Sequence, residues 1–336
     1  MEVKALLLVD EPEDKIRIGS IHLSDPGESE VRIKVIAAAL NHRDQWCRQG
    51  MYPALQYGGA LGSDACGTVV GVGKGVNESW LGKKVILNPN IDWGNNPEVQ
   101  STQYHILGMP SNGTFSEYVN IPVDRIHEKP GHLSENQAVA LPLAGLTAYR
   151  AIFRKGRVDS GQNILVTGIG GGVSQFAFLF GQAIGANIYV TSGNEEKLTS
   201  AIKFGAVNGY NYKEPDWHKK ALKDSGGFDV IIDSAGGNSM NTYLKLIKPG
   251  GRMVHYGSTS GVPEKLDIFR LFWSQASIHG TSMGNDQEFE EMIRFVAEHR
   301  IDPIIDSVRP FNEIVSAFDD MKEGKQFGKL IISFED

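Results

Sequence analysis

With 336 residues and a net charge of −7, the chain is long enough for two domains and has the wrong sign for binding nucleic-acid phosphates. Hydrophobic residues make up 41% and charged residues 22%, an ordinary globular balance that folds without disulfide or metal staples. Two cysteines, Cys47 and Cys66, are too few for a disulfide framework and point to a reducing, cytoplasmic setting.

Residues 5–9 are apolar, but Asp10, Glu11, Glu13 and Asp14 close the run at once. It is too short for a signal peptide or a membrane span and reads as a buried first strand. Val31-Arg32-Ile33-Lys34-Val35 alternates as a half-buried strand does, and glycines crowd residues 58–82, where strands turn tightly. Ser134 is placed to cap a helix over 134–153 with Glu135 in its first turn, and Pro142 ends or kinks it. From about 161 the texture becomes strand, glycine turn, helix, repeated. Strands are expected at 163–167, 187–191, 230–233, 252–256 and 277–280, with helices starting near Val173, Glu195, Pro215 and Asn238. That alternation predicts a mostly parallel α/β sheet covered on both faces. A helix over 288–299, short strands and a helix around 315–321 complete the chain.

The strand Ile164-Leu165-Val166-Thr167 runs into Gly168, Gly170, Gly171, Gly172 and Val173, and an apolar helix follows. Glycines in that context let backbone approach a pyrophosphate at a helix N-terminus, so these five residues are candidate dinucleotide contacts. The match to Gly-x-Gly-x-x-Gly is imperfect, because Val173 stands at the last glycine place and small Ser174 follows. At the end of the second strand, Tyr189-Val190-Thr191-Ser192-Gly193 lacks the acid that holds an NAD ribose. Glu195 lies at capping-box spacing from Ser192 and is read as serving the helix start. Ser192 and Lys197 are placed to receive a 2′-phosphate instead, which predicts NADP(H).

Leu40-Asn41-His42-Arg43-Asp44 and Gly62-Ser63-Asp64-Ala65-Cys66-Gly67 resemble segments of the medium-chain dehydrogenase/reductase superfamily. Its zinc alcohol dehydrogenases carry Cys-His-Thr-Asp and Gly-His-Glu-x-x-Gly there. Asn41 and Ser63 replace two zinc ligands, the third falls near Leu143, and the stretch 88–118 lacks the four cysteines of a structural zinc lobe. The likeness is therefore to the zinc-free, quinone oxidoreductase-like branch.

That resemblance implies a Rossmann doubly wound parallel sheet over 123–288 and a GroES-like, partly barrel-like β domain from 1–122 and 289–336. It implies Asn41 and Tyr52 beside the nicotinamide, with Asp44 as a third catalytic candidate. Each also has a structural reading: Asn41 bonding backbone in a turn, Asp44 capping a helix, Tyr52 as a packed aromatic. Thr147 and Tyr212 are implied as cofactor contacts, and Ser234 and Gly257 lie in segments that run under the cofactor in the family. Asp233 reads as structural, and Trp93 as an anchoring aromatic or a wall of the substrate mouth.

The expected function is hydride transfer from NADPH to a quinone or enone without catalytic zinc. A redox-sensing NADP(H)-binding protein, and an alcohol, aldehyde or enoyl-thioester reductase, are the alternatives. The expected partners are a small-molecule substrate and, by resemblance, a second copy in a homodimer, with no nucleic acid and no membrane.

Overall fold

The computed structural model describes residues 1–335. The chain divides into two compact units, Met1–Ala144 with the segment from Asn285 onward, and Gly145–Gly284. No helix among the described residues is long and apolar enough to cross a membrane.

The first unit is built on a seven-stranded sheet. Its path runs Ile305–Pro310, Lys329–Ser333, Glu30–Ala39, Asp64–Val72, Lys84–Leu87 and Ile126–Glu128, with Tyr118–Pro122 also pairing on Glu30–Ala39. The central strand buries Val31, Ile33 and Val35 on one face, as its alternation predicts, and these join Leu6, Phe115, Phe318 and Ile332 in one core. Residues 5–9 belong to the strand Glu2–Leu8 and its end, paired with Ile16–His22. Near the site, register matters most. Ala39 lies opposite Asp64 on one side and Ile331 on the other, so residues from three distant stretches meet where the central strand ends.

The second unit is a six-stranded parallel sheet in the order Asn208–Asn211, Asn187–Ser192, Asn163–Val166, Phe228–Asp233, Ile247–His255 and Ser277–Gly280. This is the doubly wound Rossmann order, with the direction in which strands are added to the sheet switching between the Asn163 and Phe228 strands, which themselves pair in parallel. Helices Gly172–Ala183, Glu195–Lys203, Trp217–Ser225 and Ser239–Leu246 connect the strands.

The bounds of the compact units differ from those expected, and the stretch 134–153 holds two helices. The first unit extends to Ala144 and not 122, because Ile126–Glu128 pairs with Val85–Leu87 and the Leu143 N–H donates to Asp64 at 2.9 Å. The resumption falls at Asn285, ahead of 289. The helix over 134–153 is interrupted. Ser134 caps a short turn, Glu135–Ala138, then Pro142 opens a new helix to Tyr149 that widens into π turns over Arg150–Lys155. Proline at a first helical position removes no needed hydrogen bond, so Pro142 opens the second helix after the first has ended at Ala138.

Candidate functional site

In the second unit, the turn after the Asn163–Val166 strand is shaped for close backbone approach. Gly168 has φ +61°, and a Cβ there would meet nothing within 4 Å, so only its backbone borders that open space. The turn is tied down from behind: Ile169 N–H donates to the Thr191 carbonyl at 3.0 Å, and Ser174 Oγ donates to the Gly168 carbonyl at 2.9 Å. Gly171 holds the N-cap place in extended geometry with no side chain to cap the helix. The N–H groups of Gly172 and Val173 therefore stand in the first turn of a 12-residue helix, at its positive end. Gly170 is buried within the turn, whereas Gly168 is exposed. An anionic pyrophosphate fits this arrangement.

The far end of the cradle departs from expectation in one respect. Asn194, not Ser192, caps the Glu195–Lys203 helix, its Oδ1 accepting from the N–H groups of Glu196 and Lys197 at 2.8 and 3.2 Å. Ser192 is the last residue of the strand, and its Oγ accepts from Asn194 N–H at 3.1 Å. Glu195 is turned to Asn211, whose side-chain amide donates to it. Lys197 is half-buried and Tyr212 is exposed. A residue missed in the sequence joins them: a Cβ on Gly193 would come within 2.7 Å of Lys213 Cε and 2.8 Å of Tyr212 Oη. The signal was present as a second cation beside the tyrosine, but only the tyrosine was read.

Thr147 is buried, with its hydroxyl 3.6 Å from Met283 Sδ. Ser234 is half-buried, and its carbonyl accepts from Thr259 N–H at 3.2 Å. Gly257 is needed for packing: a Cβ there would stand 2.9 Å from that same carbonyl. Beneath both lies Asp233, wholly buried, accepting from Thr167 Oγ1, Tyr243 Oη at 3.0 Å, Gly236 N–H at 2.7 Å and His255 Nδ1 at 3.1 Å. Burial alone would raise its pKa, but these hydrogen bonds, from His255 foremost, hold it below the ordinary carboxylate value.

In the first unit, the residues around Asn41 form a buried polar cluster. Asn41 ends the turn before the helix His42–Arg48 and is 5% exposed. Its amide donates to Asp64 Oδ2 at 2.9 Å, while its Oδ1 accepts from Lys329 Nζ at 2.7 Å. Lys329 itself is buried and spends its three N–H groups on Asn41, the Leu40 carbonyl at 2.9 Å and Asp64 at 3.2 Å. Asp44 Oδ2 accepts the Asn41 backbone N–H at 2.8 Å, which is the helix-capping geometry. The Asp44 carboxyl is pushed up to about 6, by burial above all, with Arg43 and the Asn41 N–H pulling the other way. Burial likewise pushes Asp64 upward against Lys329 and Asn41.

Arg43 sits beside them, 8% exposed. Its Nη1 donates to Ser63 Oγ at 2.7 Å and to the Leu107 carbonyl at 3.1 Å, and its guanidinium lies 4.6 Å over the Tyr52 ring. Its Nε reaches Tyr52 Oη at 3.4 Å. The structure thus brings Asn41, Asp44 and Tyr52 into one neighbourhood, with Asp44 in helix-capping geometry and Asn41 held by the side chains of Asp64 and Lys329. It also joins to them Arg43, Ser63, Asp64 and Lys329, of which Lys329 carries no signal in the sequence. Trp93 is buried with its Nε1–H on the Asn96 carbonyl at 2.9 Å, an anchoring aromatic.

This donor set does not fit a zinc ion. The three places hold an amide engaged by Lys329 and Asp64, a hydroxyl engaged by Arg43 and Leu107, and the hydrocarbon of Leu143. Among the described residues no group of three or more His, Cys, Asp or Glu is placed to hold a metal. Cys47 and Cys66 are buried thiols pushed up to about 12 by burial first, unlike metal-binding thiolates.

The comparisons with known proteins agree with both folds. Residues 27–131 match the alcohol dehydrogenase GroES-like domain, and residues 172–298 match the zinc-binding dehydrogenase family. The chain is 40% identical to the zinc-type alcohol dehydrogenase-like protein YogA of Leptosphaeria maculans, over 91% of each chain. It is 27% identical to an acryloyl-coenzyme A reductase of Sulfurisphaera tokodaii, over 97% of this chain and 98% of the relative. A solved structure described as an NAD-dependent alcohol dehydrogenase superposes with a TM-score of 0.92 at 32% identity, covering 99% of this chain and 100% of that one. The chain belongs to the medium-chain dehydrogenase/reductase superfamily. It is an oxidoreductase of a family that uses nicotinamide cofactors, with a Rossmann unit and a GroES-like unit.

Proposed function

We propose that the chain is an NADPH-dependent reductase delivering hydride to a quinone or to the β-carbon of an α,β-unsaturated carbonyl compound, without catalytic zinc. The observation that carries this reading is the cluster around Asn41 and Ser63. Both former ligand places are bonded to buried side-chain cations, Lys329 and Arg43, so the polarising charge is organic. Reducing a simple ketone makes a strongly basic alkoxide, for which a Lewis acid helps. A quinone or enone yields a phenolate or enolate, which hydrogen-bond donors can stabilise. The likeness to an acryloyl-coenzyme A reductase supports an activated double bond as acceptor. When bound, the nicotinamide supplies the hydride. The chain's residues hold the pyrophosphate at Gly168–Val173, and Ser192, Lys197, Tyr212 and Lys213 would surround the adenosine 2′-phosphate. We assign the protein to the reducing cytoplasm, where its two buried cysteines remain thiols.

Oxidation of NADPH and NADH across benzoquinones, cyclic enones and enoyl thioesters tests the reading. NADPH should be consumed with at least one of these classes and preferred over NADH. The double variant Lys197→Ala, Lys213→Ala should weaken NADPH binding about ten- to hundredfold while sparing NADH, as losing charge-assisted phosphate contacts does. Equal affinity for both cofactors rejects the assignment. Tight NADPH binding with no turnover favours the redox-sensing alternative.

We also propose a homodimer through the edge strand Ser277–Gly280. Next to it in sequence, Val262, Ile268, Phe269, Phe272 and Trp273 are more than half exposed, an apolar patch unusual on a monomer's surface. Sedimentation at micromolar concentration should give a dimer that Phe269→Glu with Trp273→Glu dissociates. A monomeric native protein refutes this.

A further inference from the structure

We propose that Arg43 binds the carbonyl oxygen of the acceptor and stabilises the oxyanion formed there; this deepens the reading above and rests on it. The Asn41 amide is held by Asp64 and Lys329, and the three Lys329 N–H groups are spent. Ser63 donates to the Leu107 carbonyl at 2.8 Å while accepting from Arg43. Arg43 uses Nη1 twice and Nε once, but its Nη2 is buried and has no hydrogen-bond partner among the described residues. A buried guanidinium N–H without an acceptor is costly, and such groups persist where a function uses them.

A second donor is in the same state. Tyr104 Oη is buried and unpartnered, on the loop that supplies the Leu107 carbonyl, and its ring packs edge-on to Trp93 at 5.3 Å. Its phenol is pushed upward, by burial first and by Tyr52 next, with Arg43 opposing, so it is a protonated donor at neutral pH. Arg43 is braced on every other side. Ser63 and Leu107 fix Nη1, the Tyr52 ring lies beneath the plane, and Asp44 Oδ1 is 3.7 Å from Nη1. Such bracing pre-organises a donor, which is what electrostatic catalysis requires.

The chemistry balances without a proton from the guanidinium. Hydride addition forms a C–H bond at the β-carbon and moves the C=C pair into the bond between α-carbon and carbonyl carbon. The carbonyl pair goes to oxygen, which Arg43 holds as an enolate. A solvent proton then adds at the α-carbon, and the two electrons would come from the reduced nicotinamide of the proposed reading. Burial works to lower the Arg43 pKa, but Tyr52, Asp44 and Cys47 outweigh it, so the charge stays on Arg43 throughout.

The test is single-turnover NADPH oxidation by Arg43→Gln and Arg43→Lys, with saturating enones graded by the basicity of the enolate they form. Arg43→Gln should slow hydride transfer by about 10²–10³, more for the more basic enolates, with NADPH affinity nearly unchanged. Arg43→Lys should recover part of the loss, because an ammonium keeps the charge but not the fork. A loss equal for every acceptor, or a wild-type rate in Arg43→Gln, overturns the inference while leaving the proposed reductase standing. Wild-type protein that reduces none of the acceptors overturns both. Should Arg43→Gln not fold, Ser63→Ala decides: it leaves Nη1 held by the Leu107 carbonyl alone, so it should loosen the guanidinium and slow turnover about tenfold with the same basicity trend, and an unchanged rate and trend reject the proposal.

Discussion

Lys329→Met will destabilise the protein by about 3–5 kcal/mol, the usual result of removing one partner from a buried ion pair. Asp64 is wholly buried, and Lys329 is its only cationic contact within 4 Å among the described residues. Without the ammonium, Asp64 keeps the Asn41 amide and the Leu143 N–H, which can hydrogen-bond a carboxylate but cannot neutralise it. Asn41 Oδ1 and the Leu40 carbonyl also lose a donor. Equilibrium urea unfolding measures the effect. Adding Asp64→Asn to Lys329→Met should recover at least half of the loss, since a neutral amide needs no counter-charge. A single variant within about 1 kcal/mol of wild type contradicts the prediction, because such a small change falls below the range for breaking a buried pair.

Asp233→Ala should cost roughly 3 kcal/mol, with the burden falling on the second unit. Its carboxylate collects donors from the ends of the two flanking strands, from the helix Ser239–Leu246 and from the Gly236 turn, and alanine would strand Thr167, Tyr243, His255 and the Gly236 N–H together. Asp233→Asn keeps one acceptor oxygen and should lose less than half as much. The pH dependence has a definite sign. The folded pKa lies below 3.8, so this stabilisation is complete above that value and is lost as pH falls beneath it. Wild type and Asp233→Asn should therefore converge in stability in acid. A difference that widens there would contradict the account. Because the Gly236 turn and the Ser234 carbonyl hang from Asp233, the alanine variant should also bind NADPH more weakly.

The sequence made the second unit readable where strands are continuous apolar runs and helices follow glycine turns, as at 163–167 and 230–233. It hid the strand Asn208–Asn211. Asn-Gly-Tyr-Asn is turn composition, and only Tyr210 enters the core, so parallel pairing on the Tyr189–Ser192 stretch makes the strand, not propensity. The helix cap was misplaced by two residues for a related reason. Pairing carries the strand through Ser192, and the next polar residue able to cap is Asn194. In the first unit, Asn41, Asp44 and Tyr52 were found as a group because a resemblance pointed to them. Their partners could not be found locally. Ser63 is 20 residues from Arg43, Leu107 is 64 away, and Lys329 is 265 from Asp64. Lys329 in Gly328-Lys329-Leu330 reads as a solvated strand lysine, and only the register beside Ala39 takes it inside.

That register also dictates an order of events during synthesis. The second unit, contiguous from Gly145 to Gly284, has every strand of its sheet before Lys329 is translated. Asp64, made 265 residues earlier, has no counter-charge until the strand Lys329–Ser333 arrives and docks on Ala37–Ala39. The first unit therefore cannot complete its sheet until the whole of the second has been synthesised. A chain that stops short of Lys329 has every strand of the Rossmann sheet but lacks the cation that balances Asp64.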